Sequence, residues 1–307
     1  MRVALLLFGL CWLVGCSPAP RPSPSPLQVV TTILPVHALT LAVAGDRAEV
    51  RSLLSSSAAA HDFQMTPKER RLIESAGLVI LNGLGMESWL TRTLKDSART
   101  VPVIECTTGL EAELIHDGTD DEAPGHDHDH AGHSHHHGTA NPHLWLDPLL
   151  AARMVTNILA ALQKADPTNA AAYATNAAAC IARLQQLDAE IRQALVPLTN
   201  RTLVTYHRAF PYFARRYDLK VVGVIQETPE VAPSPRHLAD LRQIVQTNRV
   251  KAIFTEPGHS DKLARQLAQD WQVQTAPLDT LETGDFTPGA YEDGMRKNLR
   301  TLLDTLK

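Results

Sequence analysis

Short apolar runs alternate with longer amphipathic segments along most of the chain. Leu27–Ile33, Ala48–Leu54, Leu78–Leu81 (closed by Asn82-Gly83) and Val101–Ile104 read as buried strands. Helical segments fall between them, such as Pro67–Ala76, where Thr66 and Glu69 spell a capping box. A second block repeats the pattern. Thr202–Tyr206, Val221–Ile225, Val250–Thr255 and Val273–Ala276 read as strands. Helices are expected around His207–Tyr217, Pro235–Thr247, Asp261–Asp270 and Pro288–Leu303. Strands of this length alternating with helices indicate mainly parallel sheets.

Between the blocks the strands give way to two successive helices. Asp147-Pro148 opens a helix as N-cap and first-turn proline. A longer helix follows, capped by Asp166, started by Pro167 and stopped by Pro197, a rod of about 45 Å at the standard rise. Tyr173, Ala177, Cys180, Leu184, Leu187, Ile191 and Leu195 form one apolar stripe along it. The expected fold is therefore α/β: two lobes with mainly parallel sheets joined by a long rigid backbone helix. The first lobe spans 27–147, the helical connector 148–197 and the second lobe 198–307.

The start of the chain bears on compartment. Arg2, the apolar run Val3–Val14 and the lipobox-like Leu13-Val14-Gly15-Cys16 indicate a signal peptide over 1–15 and a lipidated Cys16. The run is too short to span a bilayer comfortably. Residues 16–26 alternate proline with small polar residues and form a semi-rigid tether. Cys106 and Cys180 then remain in the mature protein, either paired or as two buried thiols. A net charge of −4 gives no reason to expect nucleic acid as a partner.

The chemistry concentrates before the connector. In the loop 116–138, seven of the twelve residues from 126 to 137 are histidine: His126, His128, His130, His133, His135, His136 and His137. With Asp117, Asp120, Asp121 and Glu122 they make an auxiliary metal-binding segment, too polar to order itself. Just after it, Asn141-Pro142-His143-Leu144-Trp145-Leu146-Asp147-Pro148 sets His143 on a rigid corner. Three more candidates occupy loops after strands, where ligands gather in α/β lobes: His61, His207 and Asp279. A lone histidine at a strand end is weak evidence. Two residues from each lobe beside a histidine-rich loop make a metal site. Asp62 and Glu256 could line the cleft but read first as turn or cap residues, His37 as a core or rim histidine, His116 as an extra weak donor, and His237 and His259 as exposed.

With these motifs in place, the chain resembles the zinc-specific solute-binding lipoproteins of bacterial ABC importers, the ZnuA type of the TroA-like metal-binding family. The resemblance spans the mature chain. It rests on the lipobox, Asn82-Gly83-Leu84-Gly85-Met86-Glu87-Ser88-Trp89-Leu90, the His143 motif, Tyr206-His207-Arg208-Ala209-Phe210, Pro233-Ser234-Pro235 and Phe254-Thr255-Glu256-Pro257. It implies that His61, His143 and His207 are three ligands and Asp279 the carboxylate ligand, with the site between the lobes. Asn141 departs from the pattern, standing where many relatives carry Asp. Three imidazoles and one carboxylate suit tetrahedral Zn²⁺, whereas manganese wants more oxygen donors. The implied function is capture of Zn²⁺ outside the cytoplasmic membrane by a monomer held by lipid on Cys16, on the periplasmic or extracellular face. Delivery to an ABC permease follows, with no bond broken. Rivals are a Mn²⁺ or Fe²⁺ binder of the same fold, a zinc hydrolase, for which no HExxH pairing is present, and a surface adhesin.

Overall fold

Two four-stranded parallel sheets share one topology in this computed structural model. The structure describes residues 25–56, 63–90, 101–116, 140–226, 231–284 and 287–307. The lipobox, most of the tether, His61 and the seven loop histidines lie outside those residues. In the first sheet the order is β2 (Ala48–Ser52), β1 (Leu27–Thr31), β3 (Leu78–Leu81), β4 (Val103–Glu105). In the second it is β6 (Lys220–Val224), β5 (Thr202–Thr205), β7 (Ala252–Thr255), β8 (Gln274–Pro277). Leu78 to Leu81 are all buried, as are Ala252 to Phe254, which is why these strands read as unbroken apolar runs. In both sheets the order reverses beside the first strand. Loops leaving the strand ends there open a crevice.

The helices among the described residues are α1 (Leu34–Ala44), α2 (Pro67–Ser75), α3 (Pro148–Ala165), α4 (Ala170–Leu195), α5 (Pro211–Tyr217), α6 (Pro235–Thr247), α7 (Lys262–Trp271) and α8 (Ala290–Leu306). The capping box at α2 forms, with the Thr66 side chain taking the Lys68 amide and Glu69 taking the Thr66 amide. Asp147 caps α3, its Oδ1 accepting the Leu149 N–H at 2.8 Å.

The rod is shorter than its prolines suggest. Pro167–Asn169 is a 3-10 turn, and α4 begins only at Ala170, so its 26 residues run about 39 Å. Asp166 ends α3 instead of starting α4, and its carboxylate binds the Asn169 amide at 2.7 Å and the Tyr173 hydroxyl at 2.8 Å. All seven stripe residues of α4 are buried.

One apolar core runs continuously from the first lobe through α3 and α4 into the second, with a smaller cluster between β5, β7, α6 and α7. Polar ties cross the same boundary. Trp145 Nε1 donates to Thr280 O at 2.8 Å, and Tyr291 Oη donates to Trp145 O at 2.6 Å. Tyr212 Oη donates to Asn141 O at 2.8 Å and accepts the Ile115 N–H at 3.1 Å. Arg216 holds Asp188 of α4 through two bonds of 2.7 and 2.8 Å. Burial raises the Asp188 pKa, but these bonds and the guanidinium charge outweigh it and hold the carboxyl below its usual range. A connector packed along its length and pinned by ion pairs is a spine. Cys106 and Cys180 are both free and buried, and burial pushes the Cys180 thiol up to about 11.

Candidate metal centre

His143 sits on a corner fixed from several sides. The Asn141 N–H donates to Ile115 O at 2.8 Å, and His116 pairs with Ala140 in an antiparallel bridge, which ties the segment before His143 to the one ending at His116. Asn82 Nδ2 holds Pro142 O at 3.0 Å, and the buried 3-10 turn Leu144–Leu146 follows at once. Leu144, Trp145 and Leu146 are fully buried, so the hydrophobic drive of three large side chains anchors the residue beside them.

His207 lies in the bend between β5 and α5, in the loop after a strand, and the helix expected to start around it begins only at Pro211, which takes its first turn. Its carbonyl accepts from Thr205 Oγ1 at 2.8 Å and from the Ala209 N–H at 2.9 Å.

The two imidazoles meet across the lobe boundary. Their Nε2 atoms are 3.2 Å apart, and Glu282 Oε1 lies 3.5 Å from His143 Nε2. Bonds of 2.0–2.2 Å to a tetrahedral zinc place any two donors about 3.3–3.6 Å apart. Both measured separations fall at those edges to within about 0.1 Å. All three residues are buried.

Tautomers follow from the partners. Asn141 Nδ2 donates to Arg208 O at 2.7 Å, which turns its Oδ1 toward His143. That oxygen accepts the His143 backbone N–H at 3.2 Å and faces Nδ1 at 2.9 Å, so Nδ1 carries the proton. In the second lobe Glu256 Oε1 accepts the His207 N–H at 3.1 Å and Oε2 accepts from Nδ1 at 2.5 Å. Both Nε2 atoms therefore present lone pairs to one point, beside a carboxylate oxygen. Two lone pairs at 3.2 Å repel unless a cation lies between them. Such backing of a ligating imidazole fixes ring orientation and raises basicity.

Two acidic side chains add to the picture the sequence offered. Glu256 does open a turn, its carbonyl accepting the His259 N–H at 3.3 Å, but its side chain is buried and clamps His207. The carboxylate brought to the imidazoles is Glu282, and the described cluster of candidate metal donors is His143, His207 and Glu282. Asp279 turns back on its own loop, Oδ1 accepting the Leu281 N–H at 2.8 Å. Burial raises its pKa, with the charges of Glu256 and Glu282 adding to the effect against the Leu281 bond and Lys297. Two carboxylates three residues apart in one loop cannot be ranked from sequence alone.

The other described histidines stay out of the cluster. His37 is buried in α1, with Nδ1 2.8 Å from Thr31 Oγ1, and burial drives its pKa down to about 4. His237 Nε2 faces Val224 O at 2.9 Å. His259, expected to be exposed, is half-buried beside Tyr206, its ring centre 6.5 Å from that of His207.

The chain is similar over most of its length to known zinc-binding proteins. The chain is 33% identical over 99% of its length to the zinc-binding lipoprotein AdcA of Streptococcus pneumoniae, and spans 61% of that protein. It is 35% identical to the high-affinity zinc uptake system protein ZnuA of Bacillus subtilis, over 91% of this chain and 88% of that one. Among solved structures, a Zn(II)-bound glutamate-to-glutamine variant of Streptococcus pneumoniae AdcAII superposes with a TM-score of 0.78 at 29% identity. That match covers 92% of this chain and 99% of the other. Residues 29–305 match the family described as zinc-uptake complex component A, periplasmic, and the chain belongs to that family.

Proposed function

We propose that the protein captures Zn²⁺ outside the cytoplasmic membrane and hands it to the permease of an ABC importer. The ligands in this reading are His143, His207 and Glu282, with His61 as the fourth donor. The zinc-uptake names of the relatives support the cargo, and the lipoprotein relative supports an anchor through Cys16. The observation that carries the reading is the convergence of two Nε2 lone pairs and a carboxylate oxygen at the edge lengths of a tetrahedral zinc. Four protein donors would leave no open position for an activated water, which favours binding over hydrolysis. The pinned spine favours release through small loop adjustments over a wide closure. The histidines from 126 to 137 act as an auxiliary, weaker set.

The test is metal analysis of the mature protein lacking residues 126–137, after competition among Zn²⁺, Mn²⁺ and Fe²⁺. One tightly held zinc per chain is expected. Preferential retention of Mn²⁺ or Fe²⁺ would replace the cargo, and no retained metal would remove the site.

A further inference from the structure

We propose that Asp279 is a positioning residue that presents Glu282 to the metal, and is not itself a ligand. The inference rests on the zinc-capture reading above. The loop leaving β8 carries both acids in Leu278-Asp279-Thr280-Leu281-Glu282. Its shape depends on Leu281, whose φ of 65° lies in the left-handed region. A non-glycine residue is strained there, so something must hold it.

Three contacts do. Asp279 Oδ1 accepts the Leu281 N–H at 2.8 Å, an acceptor two residues back that closes a side-chain turn around Thr280. Asp279 is itself fastened on both backbone faces by the buried Asn298 of α8. Its N–H donates to Asn298 Oδ1, and Asn298 Nδ2 donates to its carbonyl, each at 2.7 Å. The Leu281 side chain then seats against Gly294 of the same helix. A Cβ on Gly294 would meet Leu281 Cδ2 at 2.3 Å, so any larger residue there displaces the leucine.

The turn is thus keyed to α8 on one side. On the other, Thr280 O accepts the indole of Trp145, two residues from His143. Loop and histidine corner are held in register across the lobe boundary, and Glu282 emerges with Oε1 3.5 Å from His143 Nε2. Releasing Leu281 to negative φ would swing the next residue, Glu282, off that point.

A ligand and a cap make different demands. A ligand must offer a charged oxygen to the metal, whereas a cap needs only an acceptor for one N–H. Asp279→Asn keeps the acceptor and removes the charge. Asp279→Ala removes both. Zinc affinity is measured by chelator competition for the wild type, Asp279→Asn, Asp279→Ala, Gly294→Ala and Glu282→Gln, all without residues 126–137, with Co²⁺ absorption as a second readout. Asp279→Asn should stay within about threefold of wild type with an unchanged Co²⁺ spectrum. Asp279→Ala and Gly294→Ala should each weaken zinc by about tenfold or more, the range seen when a ligand loses its support. Glu282→Gln should cost more than either. If Asp279→Asn falls as far as Glu282→Gln and alters the Co²⁺ spectrum, Asp279 is a ligand and the inference is wrong. Should Asp279→Ala fail to fold, the Asp279→Asn and Glu282→Gln pair still decides. A wild-type protein that binds no zinc would sink the zinc-capture reading instead.

Discussion

The two lobes repeat one strand order yet back their histidines in different ways. The first lobe uses amides: Asn141 holds the His143 ring, and Asn82, at the end of β3, holds the Pro142 carbonyl. Glu87 in turn takes the Asn82 and Gly83 N–H groups, at 2.8 and 3.0 Å. The second lobe uses a carboxylate. Glu256, at the corresponding end of β7, reaches both the backbone and the ring of His207. Amide and carboxylate select the same tautomer, but only the carboxylate adds negative charge behind the imidazole. One lobe supplies a fixed corner and the other supplies donor strength.

Removing either imidazole should have the largest effect. Structural zinc sites bind with about 10–16 kcal/mol shared among four ligands, so one ligand is worth about 3 kcal/mol, at least a hundredfold in affinity. His143→Ala and His207→Ala should both lose this much in chelator competition. A variant that keeps wild-type affinity would move the site elsewhere.

Acid should strain the first lobe through His37. Its folded pKa of about 4 lies below the usual 6.5, so the folded state resists protonation. The stability held by neutral His37 is complete above about pH 6.5 and drains away as pH falls toward 4. The drop amounts to about 3 kcal/mol for that one group. Urea titrations of metal-free wild type and His37→Gln across this range should differ in slope by up to one proton. Parallel curves would show that His37 carries no such linkage.

Exchanging the backing groups sharpens the comparison. Glu256→Gln makes the second lobe resemble the first and should weaken zinc by about tenfold to a hundredfold. Asn141→Asp makes the first resemble the second and should tighten zinc by up to about tenfold. If neither moves the dissociation constant, orientation alone matters and the charge of Glu256 is incidental.

The smallest effect belongs to the seam. Tyr212→Phe strands the Ile115 N–H and frees the Asn141 carbonyl, at a cost of about 1–2 kcal/mol in denaturant stability. Zinc affinity should stay near wild type, because Arg208 still orients the Asn141 amide. A tenfold loss of affinity would mean that the hydroxyl, and not the core, sets the position of His143.

Most of the architecture was legible along the chain. Each of the eight strands among the described residues has a sequence counterpart, most plainly the central β3 and β7, whose burial requires apolar runs between turn residues. The α4 stripe was equally plain, because a helix packed along one side must repeat its apolar residues every three or four. Helix starts were less secure. Pro167 fits a 3-10 turn as well as an α-helical one, and the helix expected from around His207 starts only at Pro211, although nothing in the intervening residues forbids an earlier start.

His143 and His207 were recognisable as candidates because imidazole at a loop after a rigid element is a limited choice with a family pattern behind it. Their partnership was not. Which nitrogen faces the metal depends on Asn141 and Glu256, and Glu256 lies 49 residues from the ring it holds. The choice between Asp279 and Glu282 depends on one left-handed residue and on a notch at Gly294, contacts made only when α8 packs against the loop. Periodicity and residue type are local properties, so the chain alone determined its lobes and its donor chemistry. The direction of a side chain in a loop depends on distant contacts, so the tertiary structure decided which donors meet.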